Sequence, residues 1–143
     1  MAPSHVLVPL DGSPLAEDAL EEALTAFESR ITVLNVITPL DSHMSEGGVV
    51  EPGEDRLESA RERAERLADH ATDQAAAMDR TVETVVETGD PAETILDYVD
   101  AHDVDHVVMG SHGQDRRAVV RRLLGTVATK VVGEAPVTVT VVR

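Results

Sequence analysis

A chain of 143 residues with 27 acidic against 12 basic side chains carries a net charge of −15, which repels a phosphate backbone and removes nucleic acid as a partner. One tyrosine, one phenylalanine and no tryptophan leave no platform for stacked bases, and the lack of cysteine removes disulfides, thiolate catalysis and Cys-ligated zinc. No apolar run reaches the roughly 20 residues of a membrane helix, and MAPSHVLVPL lacks the layout of a secretory leader, so no membrane partner and a cytoplasmic location are expected.

The length is that of one domain, residues 1–143, and the 42% of hydrophobic residues come almost wholly from Val, Ala and Leu. Lys130 is the single lysine. An acidic, lysine-poor surface is expected of a salt-adapted (halophilic) protein, because at about 1 M salt the Debye length shrinks to roughly 3 Å and self-repulsion is screened. The plainer reading is an acidic cytosolic protein from a genome rich in Arg, Ala and Val codons.

Val6–Leu10 is a short continuous apolar run, as in a buried strand. Ser13 then offers an N-cap and Pro14 suits the first helical position, ahead of Ala16, Ala19, Leu20, Ala23, Leu24 and Phe27 at helical spacing. Ile31–Ile37 reads as a second buried strand. The segment 38–53, with two prolines and three glycines, is a flexible loop of the length found in lids or disordered stretches. A helix is expected over about 54–78, its stripe formed by Leu57, Ala60, Ala64, Leu67, Ala68, Ala71 and Ala75. Thr81–Thr88 is polar enough for a half-exposed edge strand. Asp90, Pro91 and Glu93 resemble a capping box for the next helix. Val104–Met109 is a fourth strand, MGSHGQDRRAVVRRLLGT follows, a helix runs to about Gly133, and Val137–Val142 is the last strand. The order β-α-β-α-β-α-β-α-β predicts a mostly parallel sheet covered on both faces.

Ligands of such sheets lie beyond the carboxyl ends of the strands, where strand order reverses. Two strand ends carry the chemistry for it: Pro9-Leu10-Asp11-Gly12-Ser13 and Met109-Gly110-Ser111-His112-Gly113. Each leads into a helix whose first N–H groups attract anions.

VLVPLDGSPLAEDAL, GDPAETIL, DHVVMGSHG, LLGTVATKVV and a closing PVTVTVV, in this order over nearly the whole chain, resemble the universal stress protein (UspA-like) family. The resemblance implies an α/β, Rossmann-like (adenine nucleotide alpha hydrolase-like) open parallel five-stranded sheet of order 3-2-1-4-5, with helices on both faces. In its ATP-binding branch the fourth strand is followed by G-x2-G-x9-G-[ST]. Here Gly110-x2-Gly113 is present, and Gly125-Thr126 come after eleven residues instead of nine.

Carried over, the motif implies that Asp11 accepts hydrogen bonds from the nucleoside, with Ser13 as a further contact. Pro9 and Val36 line the adenine slot, and Met109 packs nearby. Gly110 and Gly113 admit the phosphates close to the backbone, where a Cβ would obstruct them. Gly125 and Thr126 open the last helix with N–H groups and a hydroxyl. His112 is either a ligand contact or an exposed turn residue. Arg116, Arg117, Arg121 and Arg122 either neutralise phosphate, pair with acidic side chains, or form a solvated face.

The implied function is a stress-response protein holding ATP or another adenylate, with Mg²⁺, as a regulatory or sensing ligand. No catalytic residue is assigned, so turnover is at most slow ATP hydrolysis. HDVDH at 102–106 resembles a metal cluster but reads better as a helix end followed by a strand start. VTVTVV at a sheet edge is an open pairing template, which together with the resemblance implies a homodimer through 137–142. Two alternatives remain. One is a dimeric interaction module of the same family without nucleotide, favoured by the longer spacing before Gly125. The other is a nucleotide-using enzyme of related architecture, against which stands the missing His-x-Gly-His near the first strand.

Overall fold

The computed structural model describes residues 2–38, 53–112 and 124–143. In chain order its elements are β1 (His5–Pro9), α1 (Pro14–Ala26), β2 (Arg30–Ile37), α2 (Gly53–Ala76), β3 (Glu83–Thr88), α3 (Pro91–Ala101), β4 (His106–Gly110), α4 (Thr126–Glu134) and β5 (Thr138–Val142). The strands form one sheet of order β3-β2-β1-β4-β5, and every pairing is parallel.

The alternation of side chains along β1 and β4 divides the core in two. Val6, Val8 and Val108 pack with the buried alanines and leucines of α1 and with Ala71 and Ala75 of α2. Leu7, Val107 and Met109 pack on the opposite face with Ala92, Ile95, Tyr98 and Val99 of α3 and Ala128 and Val131 of α4. Continuous apolar strands are required because both faces are covered. β3 has only half-buried and exposed residues, as befits an edge.

The helix starts are built as their residues predict. Ser13 Oγ accepts the Ala16 N–H, and Asp90 accepts the Glu93 N–H, each ahead of a proline. Glu93 itself lies beside Lys130 of α4, at 3.6 Å. β4 begins two residues later than the apolar run, because Asp103 takes a positive φ of 54° and the Val104 N–H still bonds the Val99 carbonyl at 3.3 Å. Val104 thus closes α3 and packs beneath it. The loop expected over 38–53 lies, for 39–52, outside the described residues.

Candidate functional site

β1 is continued by β2 and β3 on one side and by β4 and β5 on the other, so the strand order reverses between β1 and β4. Beyond their carboxyl ends lies a cleft of about 630 Å³, within the range of small-molecule sites.

One wall is the β1–α1 turn. The Leu10 N–H donates to the Leu34 carbonyl at 2.9 Å, and Asn35 Nδ2 donates to the Leu10 carbonyl at 2.7 Å. Asp11 Oδ1 accepts the Ser13 N–H at 2.9 Å, an Asx turn that Gly12 completes with φ 86°. Ser13 is 1% exposed and its hydroxyl caps α1, so this candidate ligand contact is engaged by the helix.

The other wall is the end of β4. The Gly125 N–H returns to the Ser111 carbonyl at 2.7 Å, so the two additional residues before Gly125 do not keep it from β4. Gly125 then caps α4 with no side chain, and Thr126 is its first residue. The N–H groups of the first helical turn have no acceptor within the helix. At α1 and α3 a side chain takes one of them, whereas no side-chain bond caps α4.

Of the residues expected to bind nucleotide, Pro9, Asp11, Ser13, Val36, Met109, Gly110, His112, Gly125 and Thr126 all line this cleft. Gly113, Arg116, Arg117, Arg121 and Arg122 lie outside the described residues. The structure decides one alternative and adds a reason for one glycine. His112 is not an exposed turn residue: it is 6% exposed, with Nδ1 2.9 Å from Ser111 Oγ. Gly110 has a packing reason for being glycine, because a Cβ there would stand 2.9 Å from Leu15 Cβ and 3.1 Å from its backbone carbon. It admits the close approach of α1, and it also lines the cleft.

Sequence reasoning missed the contribution of α2. Ala60, Arg63 and Leu67 line the cleft from the face taken for a core stripe and its flank. Arg63 is the one cation and Asp11 the one carboxylate among the described lining residues. The described lining is therefore balanced in formal charge inside a chain of charge −15. Asn35, a polar residue inside ITVLNVI, was the signal for the lock on Leu10.

Within 102–106, His102, Asp105 and His106 are engaged separately. His102 stacks on Tyr98 with centroids 3.8 Å apart, Asp105 accepts the backbone N–H groups of Ser4 and His5, and His106 Nε2 lies 2.8 Å from Thr140 Oγ1. The groups held away from their ordinary pKa cluster here, at the opposite ends of the strands or beneath α3. Hydrogen bonds from Ser4 lower Asp105, and the Arg30 guanidinium lowers Glu83. Burial pushes Tyr98 up and His106 down.

A universal stress protein of Methanothermobacter thermautotrophicus is 42% identical over 59 residues, which span 41% of this chain and 38% of that protein's length. The solved universal stress protein UspA from Lactobacillus plantarum has a TM-score of 0.81 and 26% identity, covering 100% of this chain and 99% of its own. A universal stress protein solved in complex with cAMP has a TM-score of 0.73 and 22% identity, covering 100% and 99% of the two chains, and shares the fold. The model of the universal stress protein family matches residues 3–143. By that match, and by a five-stranded parallel sheet of order 3-2-1-4-5, the chain belongs to the universal stress protein family.

Proposed function

We propose that this chain is a cytoplasmic stress-response protein that holds an adenine nucleotide, ATP or another adenylate, as a regulatory ligand in the cleft between β1 and β4. The observation that carries this reading is the start of α4. Gly125 leaves the first-turn N–H groups without a side-chain cap at the mouth of a 630 Å³ cleft. Such a terminus attracts a phosphate. Pro9, Val36 and Met109 supply the apolar slot for the base, and Asp11, fixed by its turn, faces the sugar. The structural relative in complex with cAMP supports an adenylate in this fold.

The described residues fit such a ligand in volume and in donors. Mg²⁺ would be held by phosphate oxygens, because Asp11 is the one carboxylate among the described lining residues and its Oδ1 already accepts the Ser13 N–H. The same engagement leaves Asp11 a poor general base, so any ATP hydrolysis is slow. The alternative of a dimeric module without nucleotide rested on the longer spacing, and the Gly125–Ser111 hydrogen bond weighs against it.

β5 is an edge strand, and an antiparallel match across a two-fold axis would satisfy its outer row of backbone groups. We infer a homodimer through 137–142, which this open edge supports. Native mass spectrometry of the full chain with ATP, AMP or cAMP tests both halves. A dimeric mass carrying up to two adenylates is expected. Ligand-free protein at millimolar nucleotide overturns the first half, and a monomeric mass at micromolar protein overturns the second.

A further inference from the structure

The sheet has a second edge, β3, and it is equipped differently from β5. The Gly89 N–H donates to the Ile37 carbonyl at 2.9 Å, while Ile37 itself pairs with Thr88. In a parallel ladder this phase turns the backbone groups of Glu83, Val85 and Glu87 toward β2. The N–H and C=O groups of Thr84 and Val86 then point away from the sheet. Such an outer row is a template for an added strand.

The side chains say which strand fits. Val85 packs into the core beneath α3, so Glu83 and Glu87 share its face and Thr84 and Val86 share the other. Val86 is 42% exposed. β5 is uncharged, whereas β3 carries two carboxylates. Arg30 of β2 meets Glu83, and Glu87 enters no ion pair among the described residues. A cleft of about 490 Å³ opens at the start of β3, with the carboxylates of Glu28, Asp79 and Glu83 in its lining. Its two cations are already engaged, Arg30 by Glu83 and Arg80 by the carbonyls of Leu24, Phe27 and Ser29. Residues opposite one another across a strand pair meet on one face, and like charges there repel. A second copy of this edge brings its own carboxylates. A strand with basic residues at alternate positions brings the complementary charge to one face and sets its apolar residues beside Val86 on the other.

We propose that the outer edge of β3 docks an extended basic segment of another protein, in which basic and apolar side chains alternate. The segment joins the sheet through main-chain hydrogen bonds to Thr84 and Val86. No described residue of β3 lines the nucleotide cleft, so this edge is separate from that site.

The test titrates two labelled peptides, Lys-Val-Lys-Val-Lys-Val and Glu-Val-Glu-Val-Glu-Val, into the full chain and its Val86→Pro variant. Amide hydrogen exchange is followed by NMR in the unaltered protein. Proline is tolerated on an edge strand where the N–H faces solvent, so it removes the outward donor and leaves the ladder to β2. The lysine peptide is expected to bind the unaltered chain roughly tenfold or more tightly than it binds Val86→Pro, and the glutamate peptide to bind neither. It should also slow exchange at the Thr84 and Val86 amides, a readout that needs no variant to fold. A lysine peptide that binds both proteins equally, or that leaves those two amides unprotected, is drawn by net charge alone and overturns the docking edge. Failure of the lysine peptide to bind overturns it as well. So do Thr84 and Val86 amides already protected in the free protein, which would give the edge to a second copy.

Discussion

Gly110 ends β4 against Leu15 of α1, and its missing side chain leaves room for that helix. Alanine there would place its Cβ 2.9 Å from Leu15 Cβ and 3.2 Å from the Leu15 carbonyl oxygen. A backbone neighbour cannot rotate away, so α1 must shift, at a cost of about 1–3 kcal/mol typical of overpacking. Gly110→Ala is expected to lower the urea midpoint by that amount at an unchanged m-value; a midpoint equal to that of the unaltered protein would mean that α1 yields freely. The glycine was legible in the sequence as a strand-end glycine, but its packing against α1 was not. A G-x-x-G pattern looks the same whether or not a helix packs against it, and only the register of α1 against β4 shows that contact. Asp11 and Ser13 show the converse. Their spacing announced a turn and a cap, and both are formed.

At the scale of elements, caps and apolar runs placed the strands and helices to within a few residues, because Ser13-Pro14 and Asp90-Pro91 fix helix starts by local chemistry. Contacts between distant segments were not legible. The last turn of α1 has no basic residue. Its carbonyls are met instead by Arg80, which follows α2. Nη1 donates to the Leu24 and Phe27 carbonyls at 2.7 and 2.8 Å, and Nη2 donates to the Ser29 carbonyl at 3.0 Å. One guanidinium thus closes α1 and ties it to the entry of β2, where a positive charge also suits the helix dipole. Arg80→Ala is expected to cost roughly 2–3 kcal/mol, as for hydrogen bonds to a charged group whose partners stay half-buried. Arg80→Lys should recover only part of it, since an ammonium lacks the planar fork. Chemical denaturation checks the ranking, and a lysine variant as stable as arginine would reduce the clamp to a charge effect. The cleft wall from α2 was hidden for a related reason. Ala60 and Leu67 satisfy the same helical stripe whether they meet the sheet or a cavity, and the sequence says nothing about where the sheet ends.

For the molecule as a whole, acid affects stability in two opposing ways. Moving from neutral pH toward the isoelectric point near 4.6 removes the self-repulsion of a chain of charge −15, which favours the compact state. Local groups act the other way. Burial against Phe27 and Thr140 lowers the His106 pKa from its ordinary 6.5, so folding favours the neutral ring. Its contribution is complete above 6.5 and is lost as the pH falls below that value toward the folded pKa. Glu83 and Asp105 are lowered from 4.5 and 3.8 by Arg30 and by Ser4, so their contributions persist through that first stage. They disappear only as the pH drops below those ordinary values. Salt separates the two effects, because at about 1 M the Debye length is roughly 3 Å and the global repulsion is already screened. In 1 M KCl the melting temperature is therefore expected to fall in two steps, one beginning below pH 6.5 and one below pH 4.5. His106→Gln, which cannot titrate, should lose the first step and keep the second. Thermal melts from pH 8 to pH 3.5 check this, and a first step of undiminished size in the glutamine variant would move the acid response to another histidine.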